Sequence, residues 1–77
     1  MNTFKPYKIG SKVQWKWAGG IVDGKIEEVF FSPTVKEIKG KMIKRNGSVE
    51  KPAYLVRSEA GNLALKLHTE LISKTQS

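Results

Sequence analysis

The side chains that could do chemistry here are mostly aromatic or cationic. Trp15, Trp17, Phe30, Phe31 and Tyr54 supply rings that can fill a core or hold a cation on their faces. His68 is the single histidine, with Glu70 two residues on, and cysteine is absent. That is a two-ligand fragment, short of the donor set a structural zinc site needs, and it leaves no thiolate. Packing or capping at a turn accounts for His68. Ser58 and Glu59 are hydrolytic candidates by elimination only, because a triad needs nucleophile, base and orienting acid in one cleft. Glu27 and Glu28 are neighbours, so in a regular strand they face apart and form no carboxylate pair. Gly19-Gly20-Ile21-Val22-Asp23-Gly24-Lys25 has the spacing of a phosphate loop. Ile26, however, stands where magnesium needs a hydroxyl, and no long helix follows. Asn46-Gly47-Ser48 fits a glycosylation acceptor, but a turn explains it better. These residues point to a protein that is not an enzyme, with no cofactor and no metal.

Charge is the second resource. Fourteen Lys and Arg stand against seven Asp and Glu, a formal net charge of +7. Residues 1–16 carry Lys5, Lys8, Lys12 and Lys16 with no acid. Residues 36–51 carry Lys36, Lys39, Lys41, Lys44, Arg45 and Lys51 against Glu37 and Glu50. A solvated lysine surface accounts for such a balance; so do acidic protein or peptide partners and nucleic acid. Lysine outnumbers arginine twelve to two, and arginine is the residue that reads bases bidentately. Nucleic-acid contact is therefore expected to be to phosphate and non-specific.

The elements that must position these groups are short strands. Seventy-seven residues make one domain with a thin core. With 39% hydrophobic and 27% charged residues the chain is globular. No run of about 18 apolar residues suggests a membrane span. No apolar leader is visible at the N-terminus, which points to the cytoplasm. Gly and Pro recur every several residues, as in a small all-β barrel. Lys12 to Trp17 alternates, with Val13, Trp15 and Trp17 on one face. A turn at Ala18-Gly19-Gly20 leads to a second strand over residues 21–31. There Ile26 and Val29 are three apart, which breaks the two-residue period and predicts a bulge at Glu27-Glu28. Gly24 fits a close backbone approach. Ser32-Pro33 ends that strand, and residues 34–38 form a third. Residues 39–52 read as a long, basic, mobile excursion, with a tight turn at Asn46-Gly47. Pairing of Met42-Ile43-Lys44 through a turn at Gly40 is left open. Ala53 to Ser58 is a strand with Tyr54 and Val56 on one face. Gly61-Asn62 turns into Leu63 to Leu67, and residues 68–72 form one closing helical turn. The domain spans 1–77, its barrel about 8–72, with 1–7 and 73–77 flexible.

Ile9-Gly10-Ser11-Lys12-Val13-Gln14-Trp15, Gly19-Gly20, Gly24-Lys25-Ile26, Pro52-Ala53-Tyr54-Leu55-Val56 and His68-Thr69-Glu70-Leu71 occur in this order. The ordered set resembles the hypervirulence-associated TUDOR-domain family of small bacterial and fungal proteins, over roughly residues 8–72. The resemblance implies a strongly bent five-stranded barrel of the Tudor or Src-homology-3 type, and no established activity. Tudor folds hold methylated lysine or arginine in an aromatic box, so the rings above become candidates for one. A fainter resemblance is to the type II dihydrofolate reductases, barrels of similar length that work as tetramers. Their Val-Gln-Ile-Tyr segment has its nearest counterpart in Leu63-Ala64-Leu65-Lys66, where the glutamine and tyrosine are missing.

Trp15 is expected to fill the interior. Trp17, at a strand end beside two glycines, is the leading surface ring. Phe30 and Phe31 face opposite ways, so one of them is at the surface. With Tyr54, Lys39, Lys41, Lys44 and Arg45 they make up the candidate binding surface. Its expected partner is a protein or peptide, most plausibly acidic, and the chain is expected to be a monomer or weak homodimer.

Overall fold

The computed structural model describes residues 6–73. Strand β1 (Lys12–Trp17) runs antiparallel to β2 (Gly20–Phe30), joined by a turn in which Ala18 and Gly19 both take positive φ. Then come β3 (Pro33–Ile38), β4 (Lys41–Asn46), β5 (Ala53–Ser58), β6 (Leu63–Leu67), a 3-10 turn at His68–Glu70, and β7 (Ile72–Ser73). The main sheet has the order β6-β5-β2-β1-β7, and β3 and β4 form a separate two-stranded hairpin. No helix of the described residues is long and apolar enough to cross a membrane.

The all-β class and the five-stranded sheet are as expected, but no hydrogen-bond ladder closes that sheet into a barrel among the described residues, and the β3–β4 hairpin is inserted between β2 and β5. Chain length still forces the sheet to curl. Edge strands β6 and β7 would stand about 19 Å apart in a flat five-stranded sheet. Leu67 and Ile72 are joined by five Cα steps, which fully extended reach only about 17 Å. A 3-10 turn occupies part of that span and rises only about 2 Å per residue. The two edges must therefore bend toward each other, and the turn, not a hydrogen-bond ladder, links them.

The bend is built into β2. Its register to β5 slips between Ile26 and Glu28, leaving Glu27 as the extra residue. The slip turns both Ile26 and Val29 inward, and they join Val13, Trp15, Tyr54, Val56 and Leu71 around one core. Trp15 is only 3% exposed. Its ring lies across Gly24: a Cβ there would sit 2.7 Å from the ring atom Cη2 and against the carbonyl of Arg57. Both the predicted bulge and the predicted close approach are present.

Residues 39–52 are not a loose excursion. Lys41–Asn46 is strand β4, paired with β3 from Ile38–Lys41 to Pro33–Asn46. The tight turn is Lys39-Gly40, both at positive φ, and not Asn46-Gly47. Gly47 instead lets two backbones meet, since a Cβ would lie 2.8 Å from both Ala53 N and Phe30 O. Two residues of the ends expected to be flexible make contacts with the sheet. Tyr7 donates its N–H to Tyr54 Oη at 3.0 Å and packs on the core. Ser73 pairs with Val13 in β7. Residues 1–5 and 74–77 lie outside the described residues.

Gly24→Ala is expected to cost about 2 kcal/mol or more, because neither the indole nor the β5 backbone can give way. Gly20→Ala, whose new Cβ meets only Trp17 O at 3.8 Å, is expected within about 0.5 kcal/mol of the parent. Urea unfolding of the two variants checks this: the midpoint falls for the first alone, at unchanged slope.

Candidate functional site

Trp17 occupies the inward-facing side of β1, but it is the last residue of that strand and pairs with Gly20, which has no side chain to cover it. The indole is 66% exposed. Beside it the β3–β4 hairpin lies along β6, leaving a groove. Trp17, Ile38, Ile43, Leu63 and Leu65 supply its apolar lining, and Lys39, Lys41, Arg45 and Lys66 its cations. A second depression adjoins it under Trp17, Val22, Leu63 and Ala64, with Lys39 again at its margin.

The structure therefore brings together four of the predicted surface residues: Trp17, Lys39, Lys41 and Arg45. Alternation on β4 places Lys44 on the other face of the hairpin, with Met42. Phe30 and Phe31 stand at the opposite end of β2 from the Trp17 turn. That strand has 11 residues, which at about 3.3 Å each separates its ends widely. Phe30 is half-buried with Lys36 Nζ 4.9 Å from its ring centroid, and Phe31 is exposed. Tyr54 is removed from the surface altogether. It is 0% exposed, because the β5 face it shares with Val56 is the core face. Among the described residues Trp17 makes no ring–ring contact; the clustered rings are Tyr7, Tyr54 and His68.

Arg45 is already engaged. Its Nε donates to Glu70 Oε1 at 3.0 Å, and the same oxygen accepts the Leu67 N–H at 2.7 Å. The pair ties β4 to the closing turn and holds one end of the groove. Lys36 does similar work at the other side of the hairpin, with Nζ 3.7 Å from Glu28. Lys39, Lys41 and Lys66 have no ion pair among the described residues. Sequence reasoning missed Ile38, Ile43, Leu63 and Ala64 as groove residues. The signal was present in the alternation of β3 and β4, had their pairing been assumed.

The remaining candidates are structural. Ser58 is buried, and its Oγ accepts the Asn62 N–H at 3.0 Å within the β5–β6 turn. The Gly19–Lys25 segment is mostly strand, with no cradle for phosphate. His68 Nδ1 is 2.9 Å from Tyr54 Oη, and its ring stacks on Tyr7 at 4.8 Å. Tyr54 Oη also accepts the Tyr7 amide, so a neutral imidazole protonated at Nε2 lets the phenol donate to Nδ1. Burial lowers the His68 pKa below its ordinary value, and burial raises the pKa of Tyr7 and Tyr54.

A family model described as the TUDOR domain of hypervirulence-associated proteins matches residues 10–71. No curated protein and no solved structure matches the sequence.

Because the folded state lowers the His68 pKa, the unfolded chain binds the proton more tightly. Stability is then complete above the ordinary histidine value of 6.5 and declines as pH falls below it toward the folded value. Urea midpoints are expected to be flat from pH 8 to about 7 and to drop below about 6.5. His68→Gln, which has no proton to gain, is expected to flatten the onset of that drop above the carboxylate range.

Proposed function

The chain belongs to the hypervirulence-associated TUDOR family, and from the groove beside Trp17 we propose that it is a non-catalytic binding module for an extended acidic peptide. One observation carries the reading: an indole left two-thirds uncovered at the mouth of an apolar groove where Lys39, Lys41 and Lys66 have no carboxylate partner among the described residues. Exposed tryptophan is a frequent anchor of binding energy. The aliphatic lining from Ile38, Ile43 and Leu63 suits a branched apolar side chain of the ligand. Lys39, Lys41 and Lys66 favour acids on either side of that anchor and set a salt-dependent association rate.

The same charges argue against a methylated lysine. A cation bound on an aromatic face gains about 0.5–2 kcal/mol. Here it would have one exposed ring and several ammonium groups facing it. The non-catalytic reading rests on the roles already found for His68 and Ser58, which are engaged in packing and turn formation.

Tryptophan fluorescence of the intact protein provides the readout, because Trp15 is sealed in the core while Trp17 is free to respond. A short peptide alternating glutamate with valine is expected to bind, more weakly as salt rises. Lys39→Glu with Lys41→Glu is expected to weaken it at least tenfold, about 1.4 kcal/mol. Trp17→Ala, followed by calorimetry, is expected to cost about 2 kcal/mol. Binding of a trimethyl-lysine peptide in preference to the acidic one would reverse the assignment.

A further inference from the structure

A row of like charges crosses the outer face of the main sheet. The register sets Lys12 opposite Lys25, and Lys25 opposite Arg57, on the neighbouring strands β1, β2 and β5. All three are exposed, while the residues flanking them (Val13, Gly24, Ile26, Val56) are buried. The three cations therefore share one face, about 4.8 Å from strand to strand. Lys16, four residues along β1 and also exposed, lies on the same face and extends the charge. Like charges set directly opposite destabilise a ladder. No carboxylate pairs with Lys12 or Lys25 among the described residues. Arg57 is steadied through Nε by Glu27 at 3.0 Å, with Nη1 3.5 Å from the Gly61 carbonyl. The row borders an open depression that Asp23 and Glu59 also line. Asp23 Oδ1 is occupied by Gln14 Nε2 at 2.7 Å.

We propose that Lys12, Lys25 and Arg57 form a contact site for the phosphate backbone of a nucleic acid. Cations arriving from three strands need an anion with several acceptor oxygens, and a phosphate offers more than a carboxylate does. The site is an open sheet face and not an enclosed cavity, so a lone phosphate gains little there. A polymer gains from each neutralised phosphate through counterion release. Lys12 and Lys25 act as point charges without planar base recognition, and the Arg57 guanidinium is held by Glu27, so the contact is independent of sequence. This face carries none of the groove residues Trp17, Lys39 and Lys41, and the site does not rest on the peptide reading.

Anisotropy of the intact protein with a labelled oligonucleotide of mixed sequence, single-stranded and duplex, across a salt series tests it. Binding is expected at low salt, with log K falling linearly against log salt. Lys12→Gln with Lys25→Gln is expected to weaken duplex binding at least tenfold at low salt and to reduce the slope by about 2. Relief of the opposed lysines means this variant melts no lower than the parent. Lys39→Gln with Lys41→Gln removes the same charge from the groove and is expected to leave affinity and slope within about twofold of the parent. Equal losses in the two variants would reduce the effect to net charge and overturn the site. Absence of binding at low salt, or binding to anionic lipid vesicles without binding to the oligonucleotide, would overturn it as well.

Discussion

The indole of Trp15 can lie across β2 only because residue 24 has no side chain. That contact seats the ring flat against the inner face of β2, and the core is built around it. With the ring sealed, Val13, Ile26, Val56 and Leu71 close around it as one core. The bulge at Glu27 then turns Val29 inward beside Tyr54, and the sheet bends far enough for a short turn to reach from β6 to β7. A core this thin has few substitutes for its largest member, and the surface it leaves to bind anything is set by where that core ends. Trp17 is exposed for the same reason that Trp15 is not. Both lie on one face of β1, but the partner strand gives out at Gly20.

The inserted hairpin shows how a polar element can be held on such a small domain. A free two-stranded hairpin is marginal in water. Here the half-buried Ile38 and Ile43 sit beside β6, and Gly47 lets the hairpin's exit pack closely against Phe30 and Ala53. The ion pairs Arg45–Glu70 and Lys36–Glu28 bracket it. Exposed pairs of this kind contribute little individually. Their role is to hold the hairpin in place, and the apolar contacts carry the stability. The groove is the seam left between the hairpin and β6. Its lining is apolar because Ile43 of β4 and Leu63 and Leu65 of β6 border it, and its cations are Lys41 and Arg45 from the same face of β4 as Ile43, Lys39 from the hairpin turn and Lys66 from β6.

The excess of positive charge is divided by the fold into two faces. One part surrounds the seam beside Trp17, and the other lies flat across β1, β2 and β5. A uniform lysine coat would serve solubility alone. Setting Lys12, Lys25 and Arg57 directly opposite one another in adjacent strands works against the ladder, and the contact site proposed for that face rests on this.

Much of this was legible in the sequence. Strict alternation in β1 placed Trp15 inside. The three-residue spacing of Ile26 and Val29 located the bulge, and Gly24 marked the close approach. These features are local: a strand has a period of two, and a break in it shows within a few residues. The pairing of β3 with β4 was obscured because lysines dominate both strands and hide the half-buried stripe of Ile38 and Ile43. The burial of Tyr54 is not legible locally, since a ring at a strand position can serve either face until the other strands are in place. The sequence by itself thus determined β1, β2, β3, β5 and β6, the bend and the charge. Only the tertiary structure decided which aromatic ring is left uncovered, which cations gather beside it, and which like charges are forced together. Those depend on register and on how far each neighbouring strand extends, and no local pattern of residues encodes either.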